Sequence, residues 1–314
     1  MKNKCLYCYK NLTTETDYHE KCSLIFFGTK QAPKLEYTFD QMSELAKNLV
    51  ERSVSVPGVQ PKLSMTFNKE TKDKRLTVVG ALGGNYIFKP PSSEYPEMPQ
   101  NEHLTMRLAE LLKIKTVPSC LIRLKSGEPS YITKRIDRTK DGKKIHMLDM
   151  FQITEAFDKY KSSMEKVGKA LGQFSSNTLL DKLFFFELAL FSFLTGNNDM
   201  HLKNFSMIES GSGWILSPAY DLLNVAIVNP ADDEELALTL CGKKKKLTKE
   251  HFVNFGEGLG LNAKQINTVF NRFQKSKSEM VKMIQNSFLS KEMEVAYIGV
   301  LEERFLRLYI STES

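Results

Sequence analysis

The part of the sequence best suited to chemistry is a polar loop that contains Asp199 and Asn204 in the spacing Asp-x-x-x-x-Asn. In phosphoryl transfer this spacing aims one carboxylate at an acceptor hydroxyl and one amide oxygen at Mg²⁺, a hard cation that prefers oxygen ligands. Asp221 follows in the segment Pro-Ala-Tyr-Asp and can supply a second metal ligand. An ordinary polar turn is the competing interpretation, because Asn and Asp favour turns.

A cationic clamp for phosphate is the second requirement of that chemistry. Lys89 ends an alternating apolar run, and Glu102 follows near the start of a predicted helix. Together they match a strand lysine that grips phosphates and a helix glutamate that fixes the lysine. An exposed lysine at a strand end is the alternative. Upstream, the loop around Gly58 permits close backbone approach to phosphate, although it lacks both the Walker spacing and Gly-x-Gly-x-x-Gly.

A second group of residues has the types and spacing of a metal site. The pattern is Cys-x2-Cys-x10-His-x2-Cys, and we call its four members the Cys/His cluster: Cys5, Cys8, His19 and Cys22. Four protein ligands would complete a tetrahedral zinc site and leave no open position, which indicates a structural rather than a catalytic ion. A loosely packed arm with free thiols is the alternative. The other two cysteines, Cys120 and Cys241, are predicted to be buried free thiols because their surroundings are apolar and strand-like.

Composition indicates a globular protein. The 314 residues are 41% hydrophobic and 26% charged, and the net charge of +7 suits a protein that handles polyanions such as ATP. No apolar signal region follows the first residues, so we expect a cytoplasmic protein. The apolar run over residues 183–194 is too short to span a membrane and predicts a buried helix that leads directly into the Asp199 loop.

Hydrophobic periodicity predicts an α+β fold with two lobes: a small lobe built on an antiparallel sheet with one covering helix, and a larger, mostly helical lobe. The predicted parts are the Cys/His arm at residues 1–35, the small lobe at 36–137 and the helical lobe at 138–314. Predicted strands cover residues 63–67, 76–79, 85–89, 121–124 and 131–136. Predicted helices cover residues 41–52, 102–113, 148–156, 164–173, 179–195, 249–258, 263–288 and 291–310.

Five blocks of sequence, in order, resemble the HipA family of toxin kinases. They are Ser-Val-Pro-Gly-Val-Gln-Pro-Lys-Leu-Ser, Phe-Lys-Pro, Asn-Glu-His, Gly-Asn-Asn-Asp-Met-His-Leu-Lys-Asn-Phe and Pro-Ala-Tyr-Asp, between residues 53 and 221. The stretch before Ser53 is too short for the N-terminal subdomain of full-length HipA. The chain is therefore more similar to the short HipT-like members, in which a separate small protein supplies that piece. Ser53 and Ser55 resemble the paired autophosphorylation serines of those short forms.

The resemblance implies roles for individual residues. Asp199 would be the catalytic base, Asn204 and Asp221 the Mg²⁺ ligands, and Lys89 the residue that holds the ATP phosphates. The residues that match the phosphate-contacting loop are Val56, Pro57, Gly58, Val59, Gln60, Pro61 and Lys62. The residues at the position of the adenine hinge are Lys134, Arg135 and Ile136. In full-length HipA this hinge has acidic and aromatic residues, which are replaced here by Lys134 and Ile136. His201 and Lys203 lie between the base and the metal ligand and would position phosphate or the loop. Lys203 is also predicted, with Asp199, to be a catalytic residue.

The resemblance also implies an activity and partners. It predicts an ATP- and Mg²⁺-dependent serine/threonine protein kinase that is the toxin of a bacterial toxin–antitoxin system and phosphorylates an aminoacyl-tRNA synthetase. Its partners would be a HipB-like DNA-binding antitoxin and a HipS-like small protein, with DNA contacted only indirectly and no membrane involved. A kinase of a small molecule or lipid is the enzyme alternative. A nucleotide-binding pseudokinase or a DNA-associated co-repressor is the non-enzyme alternative.

Overall fold

The computed structural model describes residues 3–52, 62–67, 75–79, 83–139 and 141–309, except for the side chains of residues 46–52. The chain forms two compact units. Unit 1 comprises Met1–His103, Val117–Lys144 and Asn286–Phe288, and unit 2 comprises Leu104–Thr116, Ile145–Gln285 and Leu289–Ser314. The sequence-based boundaries after residues 35 and 137 stay predictions.

Unit 1 is built on a five-stranded antiparallel sheet with the strand order β2-β1-β3-β5-β4. The strands are β1 (Leu63–Phe67), β2 (Leu76–Val78), β3 (Tyr86–Lys89), β4 (Ser119–Arg123) and β5 (Pro129–Lys134). The helices are α1 (Glu20–Phe27), α2 (Phe39–Arg52) and the first part of α3 (Met98–Leu111), which crosses from unit 1 into unit 2. All five predicted strands are confirmed, whereas α1 was not predicted and α3 begins earlier than the predicted residue 102.

The core of unit 1 lies between this sheet and the N-terminal segment. Met65 of β1, Phe88 of β3 and Ile132 of β5 are fully buried. Phe26 and Phe27 of α1 join the same buried cluster. The sheet that carries Lys89 is therefore packed against residues from the segment that contains the Cys/His cluster.

Unit 2 is mostly helical and contains a second, smaller antiparallel sheet. Its elements, after the rest of α3, are β6 (Met147–Asp149), α4 (Met150–Ile153), α5 (Met164–Phe174), α6 (Thr178–Leu194), β7 (Ser206–Ser210), β8 (Gly213–Leu216), α7 (Lys249–Gly258), α8 (Ala263–Gln285) and α9 (Lys291–Tyr309). The three strands lie in the order β6-β7-β8. Five of the six helices predicted for this region are present, with differences of up to three residues at their ends.

The predicted helix over residues 148–156 is wrong. Its first residues form β6, which pairs with β7, a strand that is distant in sequence. Only the single turn of α4 is helical, and the Asp149 side chain caps it by accepting a hydrogen bond of 2.9 Å from the Gln152 backbone N–H. A cap fixes where a helix begins, so the residues before it were free to join the sheet.

Of the two cysteines outside the Cys/His cluster, both predicted to be buried, only one is buried. Cys120 on β4 is fully buried, as predicted, but Cys241 is exposed. Residues 236–240 do not form a strand, and Cys241 lies in a turn with a φ of 49°. The apolar run before it is buried without the alternation that a strand would impose, which is why its pattern misled the prediction.

The apolar run over residues 183–194 lies within α6, which is buried along most of its length. Its aromatic side chains contact those of neighbouring helices, as in the pair of Phe186 and Phe270, whose ring centroids are 6.2 Å apart. Among the described residues, no helix combines the length and apolarity needed to cross a membrane.

Candidate active site

The loop that contains Asp199 begins at Gly196, where α6 ends. Gly196 adopts a φ of +66°, a left-handed conformation that glycine enters without a steric cost. Its carbonyl oxygen accepts hydrogen bonds from the backbone N–H groups of Val225 and Ala226 at 3.0 and 3.1 Å. The loop is therefore anchored at its origin by the buried helix and by a distant segment of unit 2.

We expect Gly196→Ala to destabilise the protein by roughly 2–4 kcal/mol, since it combines a strained φ with overpacking. A Cβ atom there would lie 2.7 Å from Asn224 Oδ1 and 2.9 Å from Val300 Cγ1. Urea unfolding measures the change. The control is Gly299→Ala, at an exposed position in α9 where an added Cβ meets no atom within 4 Å. This variant should be more stable than the parent protein by about 0.5–1 kcal/mol, because alanine favours a helix more than glycine does. Equal stability of Gly196→Ala and the parent protein would contradict this account of the turn.

The Asp199 carboxylate is held in place and remains accessible. Its Oδ1 accepts a hydrogen bond of 2.8 Å from the Tyr160 hydroxyl, while its backbone N–H donates to Asn197 Oδ1 at 3.3 Å. The side chain is 43% exposed. One carboxylate oxygen is thus oriented by the protein, and a carboxylate has further acceptor positions for an incoming hydroxyl. Burial first, and then the charge of Asp199, raise the pKa of Tyr160, which keeps Tyr160 a hydrogen-bond donor.

Asn204 closes the same loop. Its Nδ2 donates to the Asp199 backbone oxygen at 2.8 Å, and its backbone N–H donates to the His201 oxygen at 2.9 Å within a short 3-10 turn. Because the amide nitrogen makes this bond, the amide oxygen Oδ1 is the atom that Asn204 can offer to a cation. The predicted base and the predicted metal ligand are therefore part of one hydrogen-bonded loop.

His201 and Lys203 have different surroundings within this loop. The His201 ring is almost fully buried, lies edge-on to Tyr160, and places its Nε2 4.0 Å from Asp199 Oδ1. Burial lowers the pKa of His201 despite the nearby Asp199 carboxylate, which favours the neutral ring. The Lys203 Nζ lies over the Phe151 ring, 4.9 Å from its centroid. The assigned roles of His201 and Lys203 stay predictions.

The hairpin of β7 and β8 returns the chain from Asn204 to Asp221. At its open end the Ser217 N–H donates to the Ser206 oxygen at 2.9 Å, and the Tyr220 hydroxyl donates to the Lys203 oxygen at 2.9 Å. Asp221 adopts a φ of 60°, an uncommon conformation that Asp and Asn tolerate better than most residues. Its charge also acts on His201, which places Asp221 in the electrostatic neighbourhood of the loop.

In unit 1, Lys89 and Glu102 form a buried ion pair. Lys89 Nζ lies 2.6 Å from Glu102 Oε1, and their side chains are only 4% and 2% exposed. Lys89 also lies over the Tyr131 ring of the neighbouring strand, 5.4 Å from its centroid. The predicted contact between strand lysine and helix glutamate is present, whereas the role of Lys89 with phosphates stays a prediction.

Other predicted nucleotide contacts have partners of their own. Lys134 donates to the Ile25 backbone oxygen at 3.3 Å. Arg135 forms two hydrogen bonds to Asp137, at 2.9 and 2.6 Å, and although burial opposes it, this contact holds the pKa of Asp137 below its usual value. Ile136 is partly buried and Lys62 is exposed. The predicted residues that lie outside the described part of the chain are Ser53, Ser55, Val56, Pro57, Gly58, Val59, Gln60 and Pro61.

The Cys/His cluster is assembled in three dimensions. Its four ligand atoms lie within 4.8 Å of one another. Cys8 Sγ lies 3.5 Å and Cys22 Sγ lies 3.8 Å from His19 Nδ1. These residues can therefore hold a metal ion together.

Sequence reasoning missed Tyr160. It lies in a loop far from Asp199 in sequence, and a lone tyrosine between charged residues carries no local sign of this contact. Only the tertiary fold brings its hydroxyl to the carboxylate.

The sequence of this chain is similar to those of a known protein family and of several curated proteins. The family described as HipA-like C-terminal domain matches residues 54–281. A putative kinase from Haemophilus influenzae is 31% identical over 242 residues, which cover 68% of this chain and 69% of that protein. The chain spans about half the length of the other curated relatives it matches.

Two solved structures resemble the fold. One is HipA of Shewanella oneidensis, solved in a complex of the toxin–antitoxin proteins HipA and HipB with operator DNA. Its TM-score is 0.66 at 23% identity, and the match covers 81% of this chain and 65% of that chain. The other is the Helicobacter pylori proinflammatory kinase CtkA, with a TM-score of 0.53 at 15% identity, covering 74% of this chain and 90% of that chain. These likenesses confirm the predicted α+β, protein-kinase-like fold class.

Proposed function

This chain belongs to the HipA-like C-terminal domain family, and from that premise we propose that it is an ATP- and Mg²⁺-dependent kinase of protein serine or threonine residues. The observation that carries the proposal is the closed loop in which Asn204 donates to the Asp199 backbone oxygen. This loop presents an accessible carboxylate and an amide oxygen, the two groups that a kinase catalytic loop needs.

The residues present fit ATP and Mg²⁺. Asn204 and Asp221 offer the hard oxygen atoms that Mg²⁺ requires, and Lys89, held by Glu102, offers a cation for phosphate. Bound Mg²⁺ would neutralise charge on the transferring phosphoryl group. Asp199, oriented by Tyr160, would accept the proton of the acceptor hydroxyl on its Oδ2 atom. The loop of residues 56–62, together with 134–136, would complete the nucleotide contacts, as the family resemblance implies.

We further propose that the protein acts as the toxin of a HipT-like system. Support comes from the family membership and from the solved HipA, whose complex contains HipB and operator DNA. The partners would be a HipB-like antitoxin, through which DNA is reached indirectly, and a HipS-like small protein. The acceptor would be a protein, with an aminoacyl-tRNA synthetase as the first candidate, and the setting would be the cytoplasm.

Kinases of small molecules or lipids, and pseudokinases or co-repressors, are the competing functions. A direct test incubates the purified protein with γ-labelled ATP, Mg²⁺ and a bacterial lysate, then separates protein from metabolites and lipids. Label in protein, lost when Mg²⁺ is chelated, supports the proposal. Label only in small molecules or lipids would replace it with the first alternative, and absence of transfer despite ATP binding would favour a pseudokinase.

We expect the protein to phosphorylate itself at Ser55, with Ser53 as a second site, and this modification to weaken ATP binding. Each phosphate adds roughly −1.5 to −2 charges, and both serines immediately precede the loop assigned to the ATP phosphates, so like charges would repel. Intact-mass spectrometry of the parent protein and of Ser53→Ala and Ser55→Ala measures the modification. Titration with ATP then compares phosphorylated and unphosphorylated protein.

The matched control for this modification is Asp199→Asn, which should carry far less phosphate than the parent protein after expression. Phosphate at both serines of that variant, to the same extent as in the parent, would mean that another kinase adds it. Equal ATP affinity of the two forms would remove the proposed restraint.

A further inference from the structure

We propose that the Cys/His cluster binds one structural zinc ion and that this ion fixes the N-terminal segment against the sheet that carries Lys89. The proposal goes beyond phosphoryl transfer, since it concerns an ion that takes no part in the reaction. It rests on the geometry of the cluster, on the way the chain builds it, and on what the surrounding residues contact.

The spacing of the ligand atoms fits zinc. With Zn–S near 2.3 Å and Zn–N near 2.0 Å, a tetrahedral site separates a sulfur from a nitrogen by roughly 3.6 Å. The two observed distances from His19 Nδ1, 3.5 Å to Cys8 Sγ and 3.8 Å to Cys22 Sγ, lie close to this value. Three sulfurs and one imidazole are soft and borderline ligands, which favour zinc over Mg²⁺ or Ca²⁺.

The local backbone holds the ligands in this arrangement. The chain turns back tightly over residues 5–9, which contain the first two cysteines: the Tyr9 N–H donates to the Cys5 oxygen at 3.0 Å, and Tyr9 adopts a φ of 63°. His19 occupies the N-cap position of α1 and Cys22 lies in the first turn of that helix. A knuckle and a helix start thus face each other, each contributing two ligands.

His19 also has an outer partner that selects its ligand atom. Its Nε2 lies 3.1 Å from the Asn11 backbone oxygen. A carbonyl oxygen can only accept, so Nε2 carries the proton and Nδ1 is the nitrogen left for a metal. Histidines that bind metals characteristically donate their other ring N–H to such an acceptor.

The segment ordered by this site supports the sheet. Leu121 on β4 donates its N–H to the Leu6 oxygen at 3.2 Å, and the Tyr18 hydroxyl donates to the Leu121 oxygen. Phe26 of α1 lies against Tyr86 of β3, with ring centroids 5.8 Å apart. Cys5 and Cys22 belong to the same buried cluster as these side chains. Loss of the ion would therefore loosen the layer that backs β3, β4 and β5.

Metal analysis tests the site directly. Protein prepared without a polyhistidine tag or chelator should contain about one zinc per chain, whereas Cys8→Ser and Cys22→Ser should lose most of it. His19→Cys should retain it, because four cysteines also form a structural zinc site. Cys241→Ser, which changes an exposed thiol outside the cluster, is the matched control and should bind zinc as the parent does. Absence of zinc from the parent protein even after incubation with zinc sulfate, or iron in its place, would overturn the proposal.

The structural consequence has its own readout, independent of kinase activity. Chelation should lower the unfolding midpoint by roughly 5–10 °C and accelerate amide hydrogen exchange in β4 and β5 more than in α8. If serine variants fold poorly, the parent protein stripped of metal and reloaded with Co²⁺ should show the absorption of tetrahedral thiolate coordination. Octahedral coordination of the cobalt would refute the zinc site. Unchanged hydrogen exchange in β4 and β5 after zinc removal would refute its structural role.

Discussion

We expect Asp199→Asn to lower the rate of phosphoryl transfer by about 10²–10⁴-fold, the contribution typical of a general base. Asparagine has nearly the same shape as aspartate, and its amide oxygen can still accept the hydrogen bond that Tyr160 donates to Oδ1. What it loses is the capacity to accept a proton. ATP binding should therefore be nearly unchanged, because the proposed phosphate and metal contacts come from Lys89, Asn204 and Asp221.

Single-turnover transfer to protein substrate, with ATP affinity measured separately by calorimetry, checks this expectation. The control is Glu279→Gln, which removes an exposed carboxylate of α8 that pairs only at the surface with Lys282. It should leave both quantities unchanged. A near-normal transfer rate in Asp199→Asn would eliminate Asp199 as the base, and equal losses of rate and ATP affinity would show that the loop itself had collapsed.

The sequence predicted those parts of the fold that local pattern controls. The strand β1 and the helix α7 have the predicted ends, since clear alternation defines one and Thr248 caps the other. The strand β6 was missed because it pairs with β7, a segment far away in the chain, and the local hairpin of β7 and β8 was not predicted either. Local propensity has no access to such a partner, so Leu148 and Asp149 of this strand were assigned to a helix.

The candidate site divides in the same way. The spacing of Asp199 and Asn204 is visible in the sequence, and the hydrogen bond between them arises within one short loop. Tyr160 reaches Asp199 only through the tertiary fold. Asp221, in the irregular segment after β8, has a φ of 60°, and no residue pattern predicts this conformation. Residue types and spacing therefore identified candidate groups, whereas their orientation depends on contacts between distant segments.

We expect Lys89→Met to destabilise the protein by about 3–5 kcal/mol, the cost typical of removing one charge from a buried ion pair. Glu102 is 2% exposed and receives the Lys89 ammonium at 2.6 Å, so its charge would remain in a poorly solvated environment. ATP affinity should fall as well, because Lys89 is the proposed phosphate contact. These two losses have different causes, and a second substitution can separate them.

In the double variant Lys89→Met/Glu102→Leu both charges are gone, and most of the lost stability should return, since apolar replacement of a buried pair is often neutral or favourable. ATP affinity should stay low. Urea unfolding and calorimetry of the single and double variants measure the two effects. Lys282→Met, which breaks the exposed 2.9 Å pair with Glu279, is the surface control and should cost less than about 1 kcal/mol. Recovery of ATP binding together with stability would assign Lys89 a purely structural role, and a stable single variant would show that the buried pair contributes little to folding.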